Sequence, residues 1–286
     1  MFKEVTKISA FILIAGLISC GNNKSENQIQ AEELLSQAQN QFNDGSYDMA
    51  IETIDSLSKK FAGVLDVQRN AMHLKTLIIE KKTIQDSIAN DAIIDKYRQA
   101  VDSLEKNFKY IKTKDMVEGY WVSKKVSDNN LVKQTNIEAR IDEMGNVYLI
   151  TSLYGQSINY TSITAKANGL SVSSKSVPTS NSNNYRYKDG GINVEMVTFT
   201  NANCDSICKF INDNKANISI TFNGKKSLPV KLSAKSLNTI SETYEYATKK
   251  ATLKKAEDLK LYYSKKLQIT RKQVRSTATN INGDSE

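Results

Sequence analysis

From residue 28 to about residue 113, apolar side chains recur at intervals of three and four, the spacing of one face of an α-helix. Ala31, Leu34, Leu35, Ala38 and Phe42 form the first such series, and Asn43-Asp44-Gly45 breaks it as a turn. Ala50, Ile51, Ile54, Leu57 and Phe61 form the second, so the two predict a helical hairpin. Periodicity resumes at Val67, Ala71, Leu74, Ile78 and Ile88. It is clearest at Ile94, Tyr97, Val101, Leu104, Phe108 and Ile111, whose alternating steps of three and four make a coiled-coil seam that requires a partner helix.

From Gly119 the period shortens to two. Ile137, Ala139 and Ile141 alternate with polar residues, residues 142–146 turn, and residues 147–153 read as a return strand. Asn168-Gly169, Asp189-Gly190-Gly191 and Asn223-Gly224 each separate two further β-rich runs, predicting three more hairpins. Seven to nine strands with turns at this spacing imply an antiparallel sandwich or small barrel. Residues 203–212 interrupt them with one short helix.

Ser236 can cap a last helix running to about Arg275. Leu237, Ile240, Tyr244, Ala247 and Ala251 share one face; Leu253, Ala256, Leu259, Tyr263, Leu267 and Val274 share another. A stripe that moves implies two successive neighbours. The first half is expected on the β-domain, and the second is expected to return antiparallel along the seam of residues 94–111. The class is α+β, with a helical hairpin, long coiled-coil-like helices, an antiparallel sandwich or barrel, and a C-terminal helix packing back on the helical part.

The first twenty residues have a different logic. Lys3 and Lys7 precede an apolar run of eleven residues, 8–18. A membrane span needs about 20 residues, so the run suits a signal peptide instead. Leu17-Ile18-Ser19-Cys20 resembles the lipobox of bacterial lipoproteins, in which the cysteine thiol takes a diacylglyceryl group. The resemblance implies cleavage before Cys20, lipidation of Cys20, and an extracytoplasmic protein held at a membrane, the outer one in preference to the inner. Two or more acyl chains anchor stably where one does not. The expected layout is a signal peptide (1–19), a lipidated tether (20–28), a helical region (29–118), a β-domain (119–235), a basic helix (236–275) and a flexible polar tail (276–286).

Two weaker resemblances follow. Gly45-Ser46-Tyr47-Asp48-Met49-Ala50-Ile51 resembles the turn and second helix of a tetratricopeptide repeat, although polar Gln41 stands where that family carries an aromatic. No second unit follows at that period, and a repeat groove needs at least three. Across the chain, Tyr47-Asp48-x-Ala50, Ile141-Asp142-x-x-Gly145-x-Val147-Tyr148-Leu149, Asn184-Tyr185-Arg186-Tyr187 with Glu195-x-Val197-Thr198-Phe199, and Ile220-x-Phe222-x-Gly224-Lys225-Lys226 resemble a group of Bacteroidetes lipoproteins that combine helices with a β-domain. That resemblance implies architecture and no activity.

Composition adds one asymmetry. The net charge is +8, and residues 249–275 hold ten of the basic side chains against Glu257 and Asp258. Lys254, Lys265, Lys272 and Arg275 are a candidate patch for an acidic protein or anionic headgroups, against the plainer reading of a solvated helix face. An extracytoplasmic address argues against nucleic acid.

The remaining chemistry is sparse. His73 is the only histidine and reads as structural. Cys204 and Cys208 are four apart; helical spacing puts their Cβ atoms about 5–6 Å apart, whereas a disulfide wants about 3.5–4.5 Å. Two readings stand, a bridge across a broken helix or two small structural residues. Asp142, Glu143, Asp189 and Glu195 are the carboxylates from which a glycosidase-like pair could be drawn. Tyr120, Trp121, Tyr148, Tyr154, Tyr160, Tyr185 and Tyr187 concentrate in the β-domain, where they serve as core or, if exposed, as stacking platforms for sugars or peptides. No phosphate-binding loop, metalloprotease helix or nucleophile elbow occurs, and no cofactor or metal is implied. The expectation is a non-enzymatic, membrane-tethered binding or structural protein of the cell envelope. A carbohydrate- or peptide-binding surface protein and a carboxylate-pair hydrolase are the alternatives. Oligomeric state is not legible.

Overall fold

In the computed structural model, which describes residues 25–127, 131–214 and 217–282, the chain has α+β architecture with five α-helices and ten strands among the described residues. It divides into two compact units, Met1–Ile84 with Lys266–Glu286, and Gln85–Lys265. These boundaries do not follow the expected helical and β regions, because the two longest helices are each divided between the units. The expected signal peptide (1–19), the expected lipidation position Cys20 and the tether up to residue 24 lie outside the described residues.

In the first unit, α1 (Glu26–Asn43) and α2 (Tyr47–Lys60) form the expected hairpin. Gly45 turns it at φ +74°, a conformation only glycine adopts without strain. Phe42 and Tyr47 flank the turn with ring centroids 5.9 Å apart. Polar Gln41 accepts a hydrogen bond from Thr53 Oγ1 at 2.8 Å across the hairpin. Ala31, Ala38, Ala50, Ile54 and Leu57 make one core with Val67, Ala71, Leu74 and Ile78 of α3 (Leu65–Glu105). The end of α5 (Ala234–Asn282) lies antiparallel to this part of α3, with Arg271 Nε 3.2 Å from Glu80 and Thr277 Oγ1 2.9 Å from His73 Nδ1. His73 is therefore a helix-packing residue. The helix persists to Asn282, so the frayed tail expected from residue 276 is helical up to there.

In the second unit, ten strands build two open antiparallel sheets. Sheet A has the order β1-β2-β3-β4-β8-β7 and sheet B the order β10-β9-β5-β6. Their ranges are β1 Phe108–Ile111, β2 Tyr120–Ser123, β3 Asn136–Asp142, β4 Val147–Tyr154, β5 Ser162–Ala167, β6 Leu170–Ser173, β7 Asn184–Asp189, β8 Ile192–Thr200, β9 Ser219–Asn223 and β10 Ser227–Val230. All four predicted hairpins form, and α4 (Asp205–Asn214) is the expected inserted helix. Ten strands form where seven to nine were expected, and the end of the seam helix also differs. The seam helix ends at Glu105, and Phe108 and Ile111 belong to β1, paired with β2. Over four residues an aromatic and β-branched run fits period two as well as a heptad, so periodicity could not separate them.

One core joins the two sheets, α4, the rest of α3 and the first part of α5. It contains Leu149 and Phe199 of sheet A, Ile163 and Phe222 of sheet B, Ile207 of α4, Ile94 and Val101 of α3, and Ile240, Ala247 and Ala256 of α5. α5 returns antiparallel along α3, but shifted from the expected alignment: residues 256–260 meet Asn90, Asp91 and Arg98, residue 271 meets Glu80, and Tyr246 meets Phe108 beyond the helix end. Asn90 Nδ2 donates to the Ala256 carbonyl at 2.8 Å, Lys260 pairs with Asp91 at 2.9 Å and Arg98 with Glu257 at 2.7 Å. Phe108 meets Tyr246 with ring centroids 4.6 Å apart.

Candidate binding face

Residues paired directly across an antiparallel ladder share a face of the sheet, so register sorts the side chains of sheet A. Phe108, Ile141, Leu149, Val197 and Phe199 fall on one face and all belong to the core. Tyr148 pairs with Arg140 and Thr200, Tyr120 with Asp142, Tyr154 with Val194, Val194 with Tyr187 and Met196 with Tyr185. Tyr120, Tyr148, Tyr154, Tyr185 and Tyr187 therefore stand together on the opposite face. Four are half-buried and Tyr185 is 60% exposed. Tyr185 and Tyr187 stack with centroids 5.4 Å apart. Val122 and Val194 are buried on this face but are not members of the main core. One face of sheet A is thus packed as an interior, and the other carries an aromatic surface without being capped by that core.

The other two aromatics go inward. Tyr160 is fully buried; burial pushes its phenol pKa well up, and its hydroxyl meets Thr151 Oγ1 at 2.8 Å. Trp121 lies on the core side, beside Tyr110 and 3.2 Å from Lys250 Nζ at its ring centroid. Burial lowers the Lys250 pKa while the Glu105 carboxylate opposes that.

On the β1–β3 side of the tyrosine face is a cavity of about 170 Å³. Lys109, Ile111, Tyr120, Val122, Val126, Ser127, Glu138 and Arg140 line it. Glu138 is 4% exposed. Its Oε1 accepts from Arg140 Nε at 2.5 Å, and the Arg140 guanidinium lies 4.1 Å from the Tyr120 ring centroid. Burial works against the charge on Arg140, but Glu138 more than offsets it and the guanidinium pKa is raised. Burial also pushes the neighbouring Tyr148 phenol up to about 12. Buried charges survive only when paired, and this pair lines an open cavity. The sequence reading missed both residues. Their signal was the polar side of Asn136-Ile137-Glu138-Ala139-Arg140-Ile141, which alternation assigns to solvent.

The four candidate carboxylates form no single cluster: Asp142 and Glu143 adjoin at the β3–β4 turn, each with bonds of its own, while Glu195 and Asp189 lie elsewhere on the sheet. Asp142 holds its own turn, accepting from Asn146 N at 2.7 Å and Asn146 Nδ2 at 3.0 Å. Glu143 accepts from Tyr110 OH and from Gly119 N at 2.9 Å, and these bonds with Lys112 lower its pKa to about 2. Glu195 is fully buried, accepting from Ser157 Oγ at 2.6 Å and Asn159 N at 2.9 Å, with Arg186 Nε 3.4 Å away. It pairs with Leu153, six residues along β4 from Val147 at the Asp142 end, a separation of roughly 20 Å. Asp189 lies at the β7–β8 turn, opposite Ile192.

Cys204 and Cys208 are buried thiols, not a disulfide; Cys208 N bonds to the Cys204 carbonyl at 3.0 Å, so the helical spacing that disfavours a bridge is kept. The neighbouring Cys204 and burial push the Cys208 pKa well up, as expected of structural thiols. Of the basic candidates, Lys254 and Lys265 belong to the second unit and Lys272 and Arg275 to the first, and all four are exposed. Part of the basic excess is balanced, since Lys260 and Arg271 pair with Asp91 and Glu80. Among the described residues no group of three or more His, Cys, Asp or Glu could hold a metal ion, and no helix is long and apolar enough to cross a membrane. No family model, curated protein or solved structure matches the chain.

Proposed function

We propose that the chain is a lipid-anchored protein of the extracytoplasmic cell envelope that acts without catalysis, binding a glycan on the tyrosine face of sheet A. The anchor rests on Leu17-Ile18-Ser19-Cys20. The binding role rests on one observation, that register collects five tyrosines on the face of sheet A turned away from the core. Each ring offers a flat apolar surface with a hydroxyl at its rim, and Thr198 and Thr200 of β8 stand on the same face. A peptide added to a sheet is held mainly by main-chain bonds at an edge strand, whereas these rings stand on the broad face. The separate structural bonds of Asp142, Glu143 and Glu195 favour binding over hydrolysis.

The test is a glycan and peptide array probed with the full chain and with the Tyr185→Ala/Tyr187→Ala double variant. Both tyrosines project from an edge strand, so the fold is expected to be retained. Glycan binding weakened about tenfold or more by the double substitution is the expected result. Binding unchanged by it, or no binding to any glycan, overturns the reading.

A further inference from the structure

The cavity at the β1–β3 side of this face has a chemistry more specific than stacking. Its lining brings a carboxylate and a guanidinium into contact, Glu138 Oε1 and Arg140 Nε at 2.5 Å, next to the Tyr120 ring and the apolar side chains of Ile111, Val122 and Val126. Glu138 is almost completely enclosed; among the described residues its hydrogen bond runs through Oε1 to Arg140, and Oε2 is not one of the buried oxygens without a partner. An oxygen that reaches the cavity can accept a hydrogen bond from a ligand hydroxyl. Arg140 likewise uses Nε on Glu138 and keeps further N–H donors on its guanidinium.

We infer that this cavity is the principal subsite of the face and takes a single neutral sugar ring, with vicinal hydroxyls bridging Glu138 and Arg140 and an apolar ring face against Tyr120. The inference rests on the glycan reading and names the position and chemistry of its tightest contact. At the pair itself the two charges balance, and Lys109, which also lines the cavity, has an interaction of its own. An ammonium ligand drawn to Glu138 would sit against Arg140, and a carboxylate drawn to Arg140 would sit against Glu138; each gains from one partner and loses to the other. A hydroxyl both donates and accepts, so two adjacent hydroxyls satisfy both partners without introducing a charge. The walls are apolar where a pyranose carries C–H groups, and the cavity volume of about 170 Å³ suits one small ring, not a disaccharide. The tyrosines on β4, β8 and β7 then serve the rest of the chain as a stacking track.

The experiment is calorimetric titration of the full chain with the best-binding neutral oligosaccharide from the array, with its terminal monosaccharide, and with the same sugar oxidised to the uronic acid. Glu138→Gln keeps the shape and removes the charge. Ser127→Trp, at an exposed position on the rim, fills the cavity without touching the buried pair. The wild type is expected to bind the neutral oligosaccharide and, more weakly, the monosaccharide, with the uronic acid disfavoured. Both variants are expected to lose about tenfold or more in affinity, the range of a hydrogen bond to a charged group. Thermal melts of both variants separate loss of the site from loss of the fold. Ser127→Trp keeps the test decisive if Glu138→Gln unfolds.

The inference is overturned if both folded variants bind like the wild type while Tyr185→Ala/Tyr187→Ala does not; the glycan reading of the face then survives alone. Preference for the uronic acid also overturns it. If the wild type binds no glycan at all, the face reading and the subsite fail together.

Discussion

Glu195 shows how one residue can be read in sequence as chemistry and found in structure as architecture. Its carboxylate, fully buried, gathers the Ser157 hydroxyl, the backbone N–H of Asn159 and the Arg186 guanidinium. It thereby fixes the segment that carries the chain from β4 of sheet A to β5 of sheet B. Gly224 makes the same point for backbone. Its sequence context reads as a hairpin turn, yet its φ is not positive. An added Cβ would lie 2.3 Å from the Ile158 carbonyl oxygen, so glycine is there for close approach to the segment that Glu195 holds. Glu143 yields a pH prediction. Bonds from Tyr110, Gly119 and Lys112 lower its pKa from 4.5 to about 2. A carboxyl depressed in the folded state stabilises above its unfolded pKa, and that contribution fades as pH falls through the folded value. Acid unfolding followed by the fluorescence of Trp121, the only tryptophan, is expected to show stability falling between pH 4.5 and 2. Glu143→Gln should be slightly less stable at neutral pH and flatter in that window; superimposable acid limbs would refute the assignment.

Among the elements, the pairing of α3 with α5 was foreseeable and its register was not. The seam at Ile94, Tyr97, Val101 and Leu104 demands a partner, and α5 supplies one, but apolar stripes slide past each other at little cost. Asn90 removes that freedom. It is 5% exposed, and its side-chain amide donates to the carbonyl of Ala256 at 2.8 Å. A buried polar group that is satisfied in a single alignment selects that alignment. Asn90→Ala is expected to cost about 1–2 kcal/mol, as for a buried hydrogen bond lost together with some packing. Denaturant titration should show a lower midpoint at unchanged slope. An unshifted midpoint would mean that the bond does not set the register. At β1 the residues after Glu105 continue the heptad in sequence and leave the helix in structure, because Phe108, Lys109, Tyr110 and Ile111 each find a partner across the ladder to β2.

For the whole molecule, the proposed location depends on chemistry at a residue outside the described region. If Cys20 carries diacylglycerol, native protein released by detergent should give an N-terminal fragment heavier than the bare peptide by the mass of its acyl groups. If the lipobox resemblance holds, Cys20→Ala is expected to leave residues 1–19 attached. A bare Cys20 thiol on the native protein would remove both the anchor and the address. The two compact units each have a core of their own, and the candidate binding face belongs wholly to the second.

The sequence alone determined what depends on near neighbours in the chain. Helical spacing gave the α1–α2 hairpin, and alternation with Gly and Asn turns gave the four β-hairpins. Local periodicity carries these because each is a contact between residues a few positions apart. The tertiary structure decided what depends on distant pairing. Strand order set which tyrosines share a face, so five of seven candidates came together and Trp121 and Tyr160 turned inward. Packing turned Asp142, Glu143 and Glu195 into separate fasteners. The charged pair Glu138 and Arg140 reads as two solvated positions of a strand. It becomes a cavity wall only when β1 and β2 fold beside it and water is excluded from one side, because burial, unlike periodicity, is a property of the assembled fold.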